Sequence, residues 1–588
     1  MSVPLLVVAA LALLLISQIW DVKAQLADAQ HLVPTLEQQL RTGDLVRAEA
    51  TAAELQQHSE SAAATSAGSI WRGSEWLPVL GDDLVAVRQL AQAMHLAASQ
   101  VAHPLLVLAA GLEENALPRS GVLDPRPLQA MAPVVERADA GLAEALALVD
   151  GVDTSGTIAE ITGAKQTLGD ALRQLQPVVH AVDELVPMVP ALIGADGPRQ
   201  YAVMFQNNAE TRALGGTALA FVVVGVDDGR IVVGEEIPTS SSGFGAGDAL
   251  LDVPPELAAL YENAYGTHIA NAPVRASFSG AAQTVIAAFG RDKGIAIDGV
   301  LSIDPVALGY LLRATDPIRL PSGDLLTADT AVPLLLNTVY ERYASGTGDW
   351  QADDARQDAF YAQAVAATAE RLLGGDVRLP EFADGLRQGW SERRILFYSA
   401  HDDEQRRLAA VGLNGELPVS DSAVDRFGIY LSENLGSKLA YYSSQKVMLG
   451  RALCRPDGRA DYRVTLELGN TLDPVAAPFI ADPVAGHYRT AQYPKGQQRM
   501  LVFLYAPPGS VIERVTVDGV SQPAGQFRDG EYTVDRQRVL IPAGATVTFV
   551  YDVVAARPGD RALEAQVTPM VSPTRVDAVP LHCGDIAQ

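Results

Sequence analysis

The sequence predicts an α+β multidomain protein: an N-terminal membrane helix, a helical stalk or bundle, a central α/β sandwich and a C-terminal immunoglobulin-like β-sandwich. Three observations predict it. An apolar run opens the chain, and a long stretch of Ala, Leu, Gln and Glu with helical spacing follows. From Tyr201 the texture changes to β-branched and apolar runs, first alternating with helical patterns and later separated only by turns. The boundaries fall at 1–20 for the anchor, 21–195 for the stalk or bundle, 196–410 for the α/β domain and 420–588 for the β-sandwich. With 588 residues, 48% of them hydrophobic, the chain has the apolar material for several ordinary cores, which excludes global disorder.

Val3 to Ile16 is an uninterrupted apolar run apart from Pro4, and it extends through Ile19 to Trp20. Eighteen helical residues reach roughly 27 Å, close to the hydrocarbon thickness of a bilayer, and Trp20 stands where an interfacial aromatic is expected. The favoured reading is an uncleaved single-pass anchor in the cell membrane with the bulk of the chain extracytoplasmic. A signal peptide cleaved near Val22-Lys23-Ala24 and a buried helix are the alternatives.

Residues 21 to about 190 carry helical periodicity. Leu45, Ala48, Ala52 and Leu55 form one apolar row with Arg47, Glu54 and Gln57 on the other side, and Asp44 is placed to cap that helix. Further runs cover 82–112, 126–149 and 157–193, and Trp71 and Trp76 are expected to plug the gaps between helices. The segment reads as a spacer without chemistry.

In the α/β part, Tyr201 to Phe205, Ala218 to Val226, Arg230 to Val233 and Val300 to Ile303 read as strands. Asp304 and Pro305 open a helix, as N-cap and first helical residue, and further helices cover 279–291, 329–344 and 354–373. Ser240 to Gly247 reads as a Ser/Gly loop. Tyr430-Leu431, Tyr462 to Leu468, Met500 to Tyr505, Ile512 to Val517, Val539 to Ile541 and Thr546 to Val554 are the strands expected of the C-terminal sandwich.

Forty-four Lys and Arg against 70 Asp and Glu give a net charge of −26, with no basic block, so a general nucleic-acid binder is excluded. Two cysteines, Cys454 and Cys583, are too few for a zinc site of four cysteines. Both lie in the sandwich region, and outside the cytoplasm they are expected to form a disulfide that pins the C-terminal tail.

No phosphate-loop, zincin or nucleophile-elbow signature occurs. Gly243 to Asp248 has the glycines of a dinucleotide loop but follows a Ser/Thr run, so a mobile loop is the expectation. His401 to Glu404 reads as a helix N-terminus with acidic first-turn residues. One segment is unusual: Gln206-Asn207-Asn208-Ala209-Glu210-Thr211-Arg212-Ala213-Leu214-Gly215-Gly216 crowds polar groups between two apolar strands. Its functional reading is a pocket wall with Arg212 gripping a phosphate or carboxylate and the glycines admitting a bulky ligand. The alternative is a structural loop whose amides satisfy buried backbone, with Arg212 paired to Glu210.

This segment, together with Ile297 to Pro305, Arg356 to Phe360 and Gly436 to Tyr442, resembles domain-of-unknown-function family 4012, over about residues 200–585. The resemblance implies a membrane-anchored envelope protein. More distantly, the central domain is similar to the LytR-CpsA-Psr phosphotransferases, which move glycopolymers from a polyprenyl-pyrophosphate carrier to the cell wall. That similarity implies a LytR-CpsA-Psr-like α/β sandwich, with Asn208 near the metal-binding position, Arg212 near the first pyrophosphate arginine and Arg356-Gln357 matching a late Arg-Gln pair. Asn207, Asn208, Arg212, Arg356 and Gln357 are therefore the candidate ligand-binding residues, with Arg275 as a third cation and a divalent cation such as Mg2+ as the cofactor the resemblance implies. Asn208 replaces a carboxylate, and Pro238-Thr239-Ser240 stands where those enzymes carry Pro-Arg-Asp.

The expected function is binding, and as one option transfer, of a phosphorylated glycan or polyprenyl-phosphate-linked precursor. The partners implied are the membrane and a lipid-linked glycan or cell-wall polymer. A non-catalytic envelope scaffold is the alternative. The discriminating feature is whether Arg212 and Arg356 converge on one cavity or are each closed in an ion pair.

Overall fold

The computed structural model describes residues 3–41, 44–115, 121–239, 244–245, 249–375, 377–433, 436–486 and 493–586. The chain is mixed α+β and divides into two compact units, residues 1–198 with 226–230, and residues 199–225 with 231–588.

The first unit is helical. Helix α1 (Val3–Arg41) runs unbroken from the apolar segment into the Ala/Gln-rich stretch, and it contains the one helix among the described residues long and apolar enough to cross a membrane. Helix α2 (Leu45–Ser66) returns along it, with the Asp44 side chain accepting from the Arg47 amide at 3.3 Å. The apolar row is the buried one: Ala48, Ala52 and Leu55 pack with Ala29 and Leu36 of α1. A single turn, α3 (Ser69–Arg72), leads to α4 (Gly81–Leu96), α5 (His103–Asn115), α6 (Pro125–Gly151) and α7 (Ala159–Leu185). Leu90, Leu142, Leu146, Val149 and Leu172 fill the core between α4, α6 and α7. Trp71 is the expected plug, buried and donating its indole N–H to the Leu84 carbonyl at 2.9 Å. Trp76 is not a plug, because it lies in the turn leaving α3 and is 77% exposed.

The second unit begins with a five-stranded sheet. It contains β1 (Arg199–Arg212), β2 (Gly215–Asp227), β3 (Arg230–Pro238), β4 (Gly299–Ile303) and β7 (Leu396–Ser399), in the order β3-β2-β1-β4-β7. A two-stranded hairpin, β5 (Ile318–Arg319) with β6 (Leu325–Leu326), lies outside it. β1 and β4 are parallel, from Tyr201 opposite Gly299 to Phe205 opposite Ile303, and β7 runs antiparallel to β4. Helix Phe278–Lys293 packs against the sheet through Phe278, Val285 and Phe289, which meet Met204, Phe221 and Val300. The Gly243 to Asp248 stretch falls largely outside the described residues, as do Ser240 to Ser242. Within it, Phe244 is buried edge-on against Phe221 and Phe289, the opposite of a free loop tip.

Two larger sheets complete the unit. One has the order β13-β12-β16-β10-β9-β18, from β9 (Ser443–Ala452), β10 (Arg459–Asn470), β12 (Val511–Val517), β13 (Val520–Gln522), β16 (Thr546–Pro558) and β18 (Arg575–Pro580). The other is β14-β15-β11-β8-β17, from β8 (Val424–Glu433), β11 (Gln498–Ala506), β14 (Phe527–Asp529), β15 (Tyr532–Ile541) and β17 (Ala562–Val567). The two share one core, to which β10 sends Tyr462, Val464, Leu466 and Leu468, and β11 sends Met500, Val502 and Leu504. The alternate residues of β11 are buried too. Leu501, Phe503 and Tyr505 pack on Leu257, Leu260 and Tyr261 of the α/β part, so this strand is apolar from Met500 to Ala506 because both its faces are covered. Cys454 and Cys583 form a disulfide with Cα atoms 5.5 Å apart, holding the segment after β18 to the end of β9.

Candidate functional site

The unusual polar segment is strand, not loop. β1 continues past the end of β4 as far as Arg212, and only Ala213 and Leu214 separate it from β2. The Gln206 side chain makes this possible: its Oε1 accepts from the Gly216 amide at 2.8 Å, and its Nε2 donates to Ser302 Oγ at 2.5 Å. A Cβ on Gly216 would stand 2.1 Å from the Asn207 carbonyl carbon. The glycine is thus required by the neighbouring strand's backbone, which accounts for it without a ligand.

Each polar side chain then turns inward. Asn207 donates to the Tyr340 hydroxyl at 2.6 Å and accepts from the Ala209 amide. Asn208 donates to Asp304 Oδ2 at 2.7 Å and to the Pro569 carbonyl at 3.2 Å, while its Oδ1 is buried with no partner among the described residues. Asp304 caps the helix Pro305–Leu312 through the Ala307 amide at 2.7 Å. Arg394 bonds Asp304 at 2.9 Å and reaches the Met570 carbonyl at 2.7 Å, and burial, which disfavours its charge, is outweighed by Asp304 and Glu392.

Arg212 is buried, at 8% exposure. It donates to the Glu433 carbonyl at 2.7 Å and to Glu210 at 3.0 Å. Glu210 also receives Lys438 at 2.5 Å. Burial works against the Glu210 carboxylate, but Lys438 and Arg212 outweigh it and hold its pKa below the ordinary glutamate range. Thr568 completes the set, donating to the Ala213 carbonyl at 3.0 Å while accepting from the Leu431 amide. The segment is therefore the joint at which the mixed sheet is fastened to β8 and to the stretch after β17.

Arg356 and Gln357 lie elsewhere, on the helix Trp350–Leu373. Arg356 closes on Asp353 and touches the Tyr343 carbonyl at 3.3 Å. Gln357 is buried, its Nε2 without a partner among the described residues. Arg275 is paired with Asp529 at 2.7 Å. Arg212, Arg356 and Arg275 share no hydrogen-bond partner, and each is closed in its own ion pair. The expected single anion-receiving hollow is not formed, because each guanidinium is taken by a different carboxylate: Glu210, Asp353 and Asp529.

The divalent cation fits poorly. Both Asp304 oxygens are already used, by Ala307 on one side and by Asn208 and the Arg394 cation on the other, and Asn208 offers only a neutral oxygen. Among the described residues no group of three or more His, Cys, Asp or Glu could hold a metal ion.

One open cleft is a feature that the sequence did not mark. It is about 1040 Å3 in volume and opens between the 341–354 stretch and the 479–486 stretch of the second unit. Trp350 and Phe479, 52% and 84% exposed, line it together with Glu341, Asp353, Asp354, Asp482 and Lys495. Lys495 is paired to Asp482 at 2.7 Å. Asp353 fixes one wall, accepting from the Ser345 amide with both oxygens at 3.1 Å. Carboxylates outnumber cations here, so the cleft disfavours a phosphate.

The family described as protein of unknown function (DUF4012) matches residues 196–340. The matched segment spans β1 to β6 and includes Asn207, Asn208 and Arg212. It ends before Arg356 and Gln357 and before both cysteines, a shorter span than the 200–585 expected from motif resemblance. No curated protein matches the chain significantly.

Proposed function

We infer that the protein is a single-pass cell-envelope protein, with its bulk outside the cytoplasm, acting as a non-catalytic scaffold rather than as a phosphotransferase. One observation carries this reading: the motif that resembles a pyrophosphate grip spends its cation and amides inside the body, on Glu210, the Glu433 carbonyl, Tyr340, Asp304 and the Pro569 carbonyl. A guanidinium already bonded to a buried carboxylate offers little to an incoming phosphate. The Cys454–Cys583 bridge supports an oxidising compartment, and α1 supports attachment to a membrane. Kinship with LytR-CpsA-Psr proteins is then one of architecture: an anchor followed by a mixed sheet carrying helices. The face-to-face sheets support the immunoglobulin-like reading of the C-terminal part.

The test is a titration of the full-length protein in detergent with a short-chain polyprenyl pyrophosphate. No saturable binding that depends on Arg212 is expected. Binding abolished by Arg212→Ala, in a variant whose unfolding temperature is unchanged, would overturn the scaffold reading.

A second reading is favoured by the cleft: the scaffold holds an uncharged or amino-sugar-bearing glycan there. Exposed indole and phenyl rings offer flat apolar faces for sugar C–H groups, and carboxylates accept from hydroxyls.

A further inference from the structure

The turn between α3 and α4 carries Gly73-Ser74-Glu75-Trp76-Leu77-Pro78-Val79-Leu80, and its outer side chains are apolar. Val79 is 92% exposed, Trp76 77% and Leu80 45%. Single exposed apolar residues are ordinary on a protein surface, but three within five residues of one turn form a patch.

The position of this turn along α1 gives the patch its meaning. α2 descends beside α1: His58 Nδ1 meets Gln25 Oε1 at 2.7 Å, and Thr65 Oγ1 meets Asp21 Oδ2 at 3.5 Å. One turn further, Trp71 packs in a single cluster with Leu15 and Val22 of α1 and Leu84 of α4, and Ile19 and Leu77 pack against that cluster. The turn is therefore level with Leu15 to Val22, where the apolar run of α1 gives way to Trp20, Asp21 and Lys23. That span is about 10 Å of helix, enough to cover the interfacial layer of roughly 5–8 Å on one side of a bilayer.

The turn is also held in shape. Val79, a β-branched residue, has φ of +76°, a conformation such residues rarely adopt. The Leu77 amide bonds the Ser74 carbonyl at 3.0 Å, and the Gly81 amide bonds the Leu77 carbonyl at 2.9 Å. Its one carboxylate, Glu75, is neutralised by Arg88 at 2.6 Å, and exposed Arg72 ends the helix just before the turn, a cation available to lipid phosphates.

We propose that the Trp76–Leu80 turn inserts into the interfacial layer of the same membrane leaflet that α1 leaves, a second attachment that fixes the helical unit upright on its anchor. The occupant is a phospholipid surface. The proposal rests on α1 spanning the bilayer.

The test uses the full-length protein in lipid vesicles, labelled one site at a time with a spin label at Trp76→Cys, Val79→Cys, Leu13→Cys or Val46→Cys. The native cysteines are bonded to each other, and Val46 is 82% exposed at the opposite end of α2. Expected is a label at 76 and 79 more accessible to oxygen than to a water-soluble nickel complex, at interfacial depth, with 13 deep and 46 fully aqueous. Positions 76 and 79 as aqueous as 46, with 13 deep, overturn the insertion and leave the anchor standing. Position 13 aqueous overturns both.

Discussion

Arg212 donates to the main-chain carbonyl of Glu433 at 2.7 Å, joining residues 221 positions apart in the chain. The contact fastens the end of β1 to the end of β8, and Lys438 on Glu210 repeats the connection beside it. What resembles a ligand-binding motif is, in this fold, a buried charged joint. Its charges are paired and hydrogen-bonded on every side, the condition under which a buried charge is tolerated.

Removing the third cation of the joint should be costly. Arg394→Ala leaves the Asp304 carboxyl, at 2% side-chain exposure, with only Asn208 and the Ala307 amide. A loss of about 3–5 kcal/mol in denaturant unfolding is expected. Loss under 1 kcal/mol would mean that the pair is not buried as described.

The sandwich carries a carboxylate whose ionisation opposes folding. Asp535 is fully buried, and burial, only partly offset by Gln537 and the Gly525 amide, pushes its pKa up to about 6 from 3.8. The folded state therefore holds a proton that the unfolded chain has released between these two values, so this group's contribution to stability falls as pH rises from about 4 to 6 and is flat above. Asp535→Asn should gain on the native protein across that window by up to about 3 kcal/mol, seen in unfolding curves at pH 4, 5, 6 and 8. A difference constant with pH would contradict it.

Breaking the disulfide should act on the tail first. Cys583→Ser frees the chain after β18, whose pairing with β9 is at the edge of its sheet. With the cysteines 129 positions apart, a loss of about 2–5 kcal/mol and earlier proteolytic trimming beyond Pro580 are expected. Intact mass under non-reducing conditions checks the bond itself, and two alkylatable thiols in the folded protein would refute it.

If the cleft takes a glycan, Trp350→Ala and Phe479→Ala should each weaken binding of neutral or amino-sugar oligosaccharides roughly 5- to 10-fold, about 1–1.4 kcal/mol, without lowering the unfolding temperature. Calorimetric titration against a panel of such sugars checks this, and equal affinity in both variants would remove the cleft from consideration.

Much of this fold is visible along the chain because its periodicities are strong. The Leu45, Ala48, Ala52, Leu55 row announced the buried face of α2, and Asp304-Pro305 announced a capped helix. The unbroken apolar run of β11 signalled a strand, yet not that its second face meets Leu257 and Tyr261, since one sequence does not show what covers a strand. The partners of the polar segment were hidden for a related reason. Asn207, Asn208, Glu210 and Arg212 look alike to a reader whether they face a ligand or a neighbouring part of the same chain, and the deciding partners, Glu433, Lys438 and Pro569, lie more than 200 residues away. The alternative pairing of Arg212 with Glu210 was legible from their spacing. The cleft had no signature because it forms from two short stretches brought together only by folding.

The central claim is that the Asn207–Arg212 stretch joins two parts of one body. Hydrogen exchange by mass spectrometry on Arg212→Ala tests it most directly. Faster exchange is expected together in 206–216, in the end of β8 and in 567–570, with no change in polyprenyl pyrophosphate binding. Exchange unchanged at β8 and 567–570, accompanied by lost pyrophosphate binding, would contradict the account and restore the arginine to a ligand site.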